Sequence, residues 1–502
     1  MTGLIIVAGA LLAQNKFAKQ INLEACNEYW AGSLVQSTDG SYVITRPFNS
    51  AGVTDWLVFN MGVDGTPGWA TVFGDAQTDH SHAIAKAADN GFVITGEAQS
   101  YPQNLFVLKL SSNGGYEWLK TFGGAGYNQG HSIILTTDGG FAVAGFTSSS
   151  GAGGYDFLVL KLTSDGSLTW AKTYGGTNDD IAHSIIQTAD GGFLVTGWTK
   201  SFYLGGSSNL FVLKLAADGS LSWAKIVWGI NDEEPGTPSS IIQTPDGGFI
   251  IVGYTRSAGV GGSDAFVVKL ASDGSLLWAK TIGGVGDDRA NAVVQTPDGG
   301  LVFAGATASF GSGGADFFIV KMDANGTLLW AKTFGDVSDN EAVSLIRAQD
   351  GDLAIMGISD VNFVLLKLDS NGDYPGGGCV MPCSPSVNNW VPSIYTVSVG
   401  QDYTPPMGNP VPTMSTPSLV SSDLCTPLEK QETEMPRAMI TCSPVPGGII
   451  FKSQEEMCIR LYSADGQLVL RDNLKEGKTR INLDPGVYLW QAGAYKGKAV
   501  VR

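Results

Sequence analysis

The chain of 502 residues carries 67 glycines, 10% aromatic and only 15% charged residues, a composition that can bury a large core and excludes a disordered chain. Its formal charge of -17, with no basic run, excludes a nucleic-acid binder, because phosphate recognition needs clustered Lys and Arg.

The first feature in chain order is "LIIVAGALLA" (Leu4 to Ala13), the only long apolar segment. It is too short to cross a bilayer as a helix, so no transmembrane span is expected. The stretch reads as the apolar region of a signal peptide over 1–13, ending at the small residue Ala13, although no Lys or Arg stands near Met1. Cys26, Cys379, Cys383, Cys425, Cys442 and Cys458 form an even set almost wholly outside the central repeats. They suit disulfides of an oxidising compartment, in a pairing the sequence leaves open.

From Lys16 to Asp373 the chain repeats itself. Trp69, Trp118, Trp170, Trp223, Trp278 and Trp330 are separated by 49, 52, 53, 55 and 52 residues, a period that suits a propeller blade. One period holds four β-rich runs: "SIIQT" (Ser184 to Thr188), "FLVTGWT" (Phe193 to Thr199), "NLFVLKL" (Asn209 to Leu215) and "LSWAKI" (Leu221 to Ile226). Asp-Gly or Asn-Gly pairs join them, as tight hairpin turns require positive φ. Runs such as "FLVLKL" (Phe157 to Leu162) are almost continuously apolar, so both faces of each sheet are covered by neighbours. Seven hairpins, at Asp39, Asn90, Asp138, Asp190, Asp246, Asp298 and Asp350, predict an all-β, seven-bladed β-propeller over 14–373 with four-stranded blades. The last repeat lacks its aromatic outer strand. "KFAKQI" (Lys16 to Ile21) supplies one at the other end of the chain, with Phe17 in the tryptophan's place, so the N-terminal strand is expected to close the seventh blade and remove the free edges. These units resemble the bacterial SBBP-type β-propeller repeat, in the pattern of a glycine pair, an acidic pair, "DGG", "VTG", then an aromatic strand. That resemblance implies a fold and leaves the activity open.

Residues 374–438, with "YTPPMGNPVPTMSTPS", read as a Pro/Ser/Thr-rich linker in an extended form. Strand signals return from Met439. "IRLYSADGQLVL" (Ile459 to Leu470), "INLDPGVYLW" (Ile481 to Trp490) and "KAVVR" (Lys498 to Arg502) resemble the C-terminal sorting domain of the type IX secretion system. The resemblance implies a small immunoglobulin-like β-sandwich over 439–502 and export to, or release from, the outer cell surface, with the type IX machinery as a partner.

Few residues suggest chemistry. His82, His131 and His183 occupy one position in three successive repeats, but face-to-face sheets about 10 Å apart would hold them too far from a common metal, so no metal site is expected. The acidic pairs Asp179-Asp180 and Asp287-Asp288 lie in loops that turn formation explains. "LDSNGD" (Leu368 to Asp373) resembles half a calcium loop but reads better as a turn, so no cofactor is expected and calcium alone stays open. The repeated tryptophans read as inter-blade core, which leaves Trp56, Trp198 and Trp228 as candidates for exposed ligand contacts. The fifth repeat departs from the rest in "VWGINDEEPGTPSS" (Val227 to Ser240). Trp198, Trp228, Asp232, Glu233 and Glu234 are therefore the expected ligand-binding residues. No nucleophile elbow, phosphate loop or dinucleotide fingerprint occurs. The expected function is a secreted or surface-attached, non-enzymatic binding or structural module for an extracellular protein or glycan. The alternative is a secreted polysaccharide hydrolase or lyase with its site at the propeller mouth.

Overall fold

A computed structural model describes residues 16–21, 32–50, 53–74, 77–98, 103–202, 208–228, 233–235, 240–359 and 362–374, and beyond Tyr374 the backbone of separate strands. Seven antiparallel sheets form the first unit, within Met1–Pro427. Blade 3 serves as the example, with strands Asn128–Leu135, Phe141–Thr147, Asp156–Leu162 and Leu168–Tyr174 running outward in sequence order. The first strands touch one another in succession: Ser33–Gln36, Asp79–Lys86, Asn128–Leu135, Asp180–Gln187, Ile241–Gln243, Asp288–Gln295, Asn340–Arg347, and back to Ser33–Gln36. The sheets therefore stand as a closed ring about one axis.

Two repeated side-chain devices explain why the sequence repeats. The lysine of each "KL" is buried and reaches the aspartate of its own hairpin, as in Lys109–Asp89, Lys161–Asp138 and Lys214–Asp190, each at 2.8 Å. Blade 1 has Asn60 there, donating to Ser41 Oγ at 2.8 Å. In blade 2 it is Asn90, not Gly91, that takes the positive φ, so Asp89 fills the aspartate role. The outer-strand tryptophan of each blade lies over the positive-φ glycine of the next blade's outer turn. A Cβ on Gly166 would meet Trp118 at 2.8 Å, and one on Gly114 would meet Trp69 at 2.5 Å. The tryptophans are thus inter-blade packing, as expected.

Ring closure follows the same rules. Ala18–Ile21 pairs antiparallel with Asn362–Leu368, Ala18 opposite Leu366 and Ile21 opposite Phe363. Phe17 takes the tryptophan's place over Gly65 of blade 1, 2.8 Å from a Cβ there. The hairpin bond between neighbours also recurs: Thr137 N–H donates to Gln187 Oε1 at 2.8 Å, and across the junction Gln349 N–H donates to Gln36 Oε1 at 2.7 Å.

The segment read as a linker has a further role. Val380–Pro382 pairs with the outer strand of blade 6, then Ser386–Trp390, Ser393–Thr396, Gln401–Tyr403, Met407–Gly408 and Thr413–Ser415 pair with blades 5, 4, 3, 2 and 1. Ser421–Asp423 ends the circuit on Ala18–Ile21 of blade 7. The chain returns round the rim in reverse order and covers seven open strand edges, which would otherwise invite pairing with another molecule.

The second unit, Leu428–Arg502, has a three-stranded sheet of Ile440–Val445, Gly448–Ser453 and Gly477–Asn482. Its four-stranded sheet orders Leu468–Leu474, Met457–Ser463, Gly486–Ala492 and Tyr495–Val501. All six cysteine side chains and residues 1–13 lie outside the described residues.

Candidate functional site

Five of the seven innermost strands, those of blades 2, 3, 4, 6 and 7, carry a β-bulge near their start, between Ser81 and Ala83, Gly130 and Ser132, Ala182 and Ser184, Ala290 and Ala292, and Ala342 and Ser344. The bulge pushes a carbonyl against the second strand, so the "VTG" glycine is obligatory: a Cβ on Gly145 would lie 1.9 Å from Gln129 O. Gly145→Ala should cost about 2–3 kcal/mol in urea denaturation, the usual penalty for overpacking. Gly139→Ala, at φ +81° but with nothing within 4 Å, should cost about 1 kcal/mol.

The bulge brings non-repeated residues to the hub. The bulged positions hold His82, His131, His183, Asn291 and Val343, and two residues earlier stand His80, Gln129, Ile181, Arg289 and Glu341. The residue after the "VTG" glycine is Glu97, Phe146, Trp198, Tyr254, Ala306 or Ile358. Identical frames thus present a different set of side chains in each blade, at the end from which the longer loops leave.

The hub is a polar and aromatic network. His80 Nδ1 lies 2.7 Å from Glu97 Oε1, and Gln103 and Gln129 both donate to Glu97 Oε2. His131 Nδ1 is 2.9 Å from Ala182 O and its Nε2 is 3.1 Å from Gln129 Oε1. Ring centroids of His82 and His131, and of His131 and His183, are 5.0 Å apart. The expected spacing of about 10 Å applies to sheets packed face to face, whereas innermost strands converge on the axis. Burial holds all three imidazoles neutral, His183 pushed down to about 3 and His82 well below the ordinary range. An aromatic file continues outward from His131 through Phe146 at 5.4 Å and Tyr155 at 4.7 Å to the exposed Tyr127 at 6.4 Å. Lys200 Nζ sits 4.9 Å from the Trp198 ring, and the Arg289 guanidinium 5.0 Å from that of Tyr254.

Carboxylates tie the surrounding loops. Asp180 accepts from Gly176 N–H and Ser201 Oγ, both at 2.7 Å, and Asp287 accepts from Ser263 N–H at 2.8 Å. These are the turn roles expected of the acidic pairs. Asp369 likewise accepts from Asn371 and Asp373 N–H, at 2.9 and 2.8 Å, as a turn does.

Among the expected site residues, Trp198 is half-buried in the hub column. Glu233 and Glu234 pair with Thr255 and Tyr254, which gives Glu234 the register that His80 holds in blade 2. Their side chains, that of Trp228, and all of Asp232 lie outside the described residues. Trp56 is a correction: it is 2% exposed and stacks on Phe106 with centroids 3.6 Å apart, because it lies in the core column of the third strand. The residues missed were His80, Glu97, Gln129 and Tyr254. Writing the blades one beneath another and marking the columns that fail to repeat would have found them.

The fold and hub define a seven-bladed β-propeller whose non-repeated inner side chains gather at one end of its axis, the axial mouth. No family model and no curated protein matches the chain. Among solved structures, Drosophila Semaphorin 2a is 8% identical with a TM-score of 0.44, covering 97% of this chain and 97% of its own. Chaetomium thermophilum Sqt1 is 9% identical with a TM-score of 0.41, covering 71% of this chain and 98% of its own. PorZ, a surface component of the type IX secretion system of Porphyromonas gingivalis, is 10% identical with a TM-score of 0.40, covering 95% of this chain and 59% of its own. At such identities and scores these likenesses bear on neither the site nor its chemistry. No helix among the described residues is long and apolar enough to cross a membrane.

Proposed function

We propose that this chain is an exported, non-enzymatic binding module whose axial mouth holds an extracellular protein or glycan. One observation carries the reading: across nearly identical blades, the residues that differ gather at the hub, where they are aromatic, amide and charged side chains (Phe146, Trp198, Tyr254, Gln129, Arg289). The half-buried rings of Trp198 and Tyr254, beside hydrogen-bonding groups, suit a sugar face or a protein side chain. In this reading residues 1–13 are the signal peptide, 14–373 the propeller, 374–438 its connecting segment, and 439–502 an immunoglobulin-like type IX sorting domain. The cysteines are disulfide-bonded and the product is secreted or surface-attached.

A second reading, a polysaccharide hydrolase or lyase, draws on the buried Glu97 beside His80, a pairing that could exchange a proton. A glycan array and a panel of chromogenic polysaccharides, run with the wild type, Trp198→Ala, Glu97→Gln and Asp232→Ala, separate the two. Binding without turnover, weakened about thirtyfold by Trp198→Ala, is expected for an aromatic anchor. Turnover abolished by Glu97→Gln or Asp232→Ala would favour the enzyme. Deleting 439–502 should leave a folded propeller in the periplasm, and normal export of that variant would end the sorting reading.

A further inference from the structure

His131 faces two oxygens that can only accept. Ala182 O lies 2.9 Å from its Nδ1 and Gln129 Oε1 lies 3.1 Å from its Nε2. A neutral imidazole has one N–H and so satisfies one of them. Turning the Gln129 amide over moves the conflict elsewhere, because its nitrogen already donates to Glu97. A cation between the two acceptors, either a metal ion or a second proton on the ring, would resolve the conflict.

We propose that the hub of blades 2–4 binds a divalent transition-metal ion, with His131 as the central ligand and His82 or His183 as a second imidazole. An N–H directed from Nδ1 to a backbone carbonyl is the usual second-shell orientation of a metal-bound histidine. It leaves Nε2 and Gln129 Oε1 facing each other at 3.1 Å. Two ligands, each about 2.1 Å from one ion and set about 90–110° apart, lie about 3.0–3.4 Å from each other. Two imidazoles on one tetrahedral zinc have ring centres about 5 Å apart, and His131 has a neighbour at 5.0 Å on either side. The Nε2 of His82 is buried with no hydrogen-bond partner among the described residues, which calls for an ion or a water.

Among the described residues no three His, Cys, Asp or Glu side chains are already gathered for a metal, so the ion takes two imidazoles and the Gln129 amide oxygen. Its remaining positions face solvent or a ligand oxygen. Nitrogen-rich donors suit Zn²⁺, Ni²⁺ or Cu²⁺ over Mg²⁺ or Ca²⁺. The bond to the next blade does not itself demand histidine, since Asn291 Nδ2 donates to Ala342 O at 2.9 Å in blade 6.

The test uses the full chain, stripped with EDTA, dialysed against ZnCl₂ or CoCl₂ and then against metal-free buffer. The wild type should retain about one more zinc per chain than His131→Asn, a variant that keeps the bond to Ala182 as Asn291 keeps its own. Bound cobalt should give visible bands that His131→Asn loses, and Gln129→Leu should weaken zinc about 10- to 100-fold. Equal zinc in the wild type and His131→Asn would overturn the proposal. So would imidazole nitrogen NMR showing both His131 nitrogens protonated at pH 7 with zinc present. Should His131→Asn fail to fold, the double variant His82→Ala/His183→Ala gives the same comparison, and equal zinc there overturns it as well.

Discussion

Replacing Phe17 with alanine should lower stability by about 3–5 kcal/mol, the cost of deleting a buried aromatic ring, measured by chemical denaturation of the full chain. The ring is 4% exposed, lies 6.1 Å from Tyr42 edge to face, and covers the Gly65 turn of blade 1. It is carried on blade 7 and buried against blade 1, so its loss opens the joint between the chain's two ends. Trp170→Ala, at an internal joint, breaks an equivalent contact but leaves the ring closed. Phe17→Ala should therefore also raise amide exchange at Phe363–Leu366, where Trp170→Ala does not. A loss below about 1 kcal/mol would fit a surface residue and contradict this packing.

Asp156→Asn and Asp264→Asn should each raise stability at pH 8 by about 1–3 kcal/mol, two pKa units at about 1.4 kcal/mol each setting the upper bound. Both carboxyls are 1% exposed, and burial first, with Asp180 or Asp288 nearby, pushes each up to about 6. One oxygen of Asp156 accepts from Ala152 N–H at 3.0 Å, while the other is buried without a hydrogen-bond partner among the described residues. The sign follows from linkage. A folded pKa above the unfolded value gives stability that is present below about pH 4 and is lost as pH rises through 6. The asparagine variants remove that loss, so their advantage should vanish by about pH 4. Asn104 and Asn209 already occupy the same position in blades 2 and 4.

The hairpin aspartates act in the opposite sense. Asp138 and Asp246 are held down to about 2 chiefly by bonds from lysine and threonine, and Asp190 reaches about 2 by the same bonds against its desolvation. Their contribution is present above about pH 4 and fades as pH falls toward 2. Thermal midpoints should accordingly peak between about pH 4 and 6, and a maximum at pH 8 would show that the buried carboxyls are not strained.

What the sequence revealed and what it hid follow from the kind of interaction involved. Trp118 against Gly166 and Lys161 against Asp138 are single side-chain contacts each repeated in six of the seven blades, so both partners recur in register and the period is visible. The closing strand was legible because Phe17 sits where a tryptophan was missing. The rim strands from Val380 to Asp423 left no trace, since an open sheet edge needs only backbone groups and accepts a segment with no apolar alternation. The hub was hidden for a different reason. The 5.0 Å spacing of His82, His131 and His183 arises from convergence on an axis, a property of the closed ring that no single blade encodes. Trp56 misled because it was compared with the outer-strand tryptophans, when its own column is Leu105, Phe157 and Leu210, all buried.

The closed ring is the premise of the hub, the mouth and the proposed ion alike. Its most direct test places cysteines at Ala18 and Leu366, which stand opposite each other across the closing pair, and maps the disulfide by mass spectrometry of the monomer after mild oxidation. A linked peptide joining residues 18 and 366 in nearly every molecule is the predicted result. A monomer in which those residues stay unlinked, or in which residue 18 is found joined to another blade, would contradict the account.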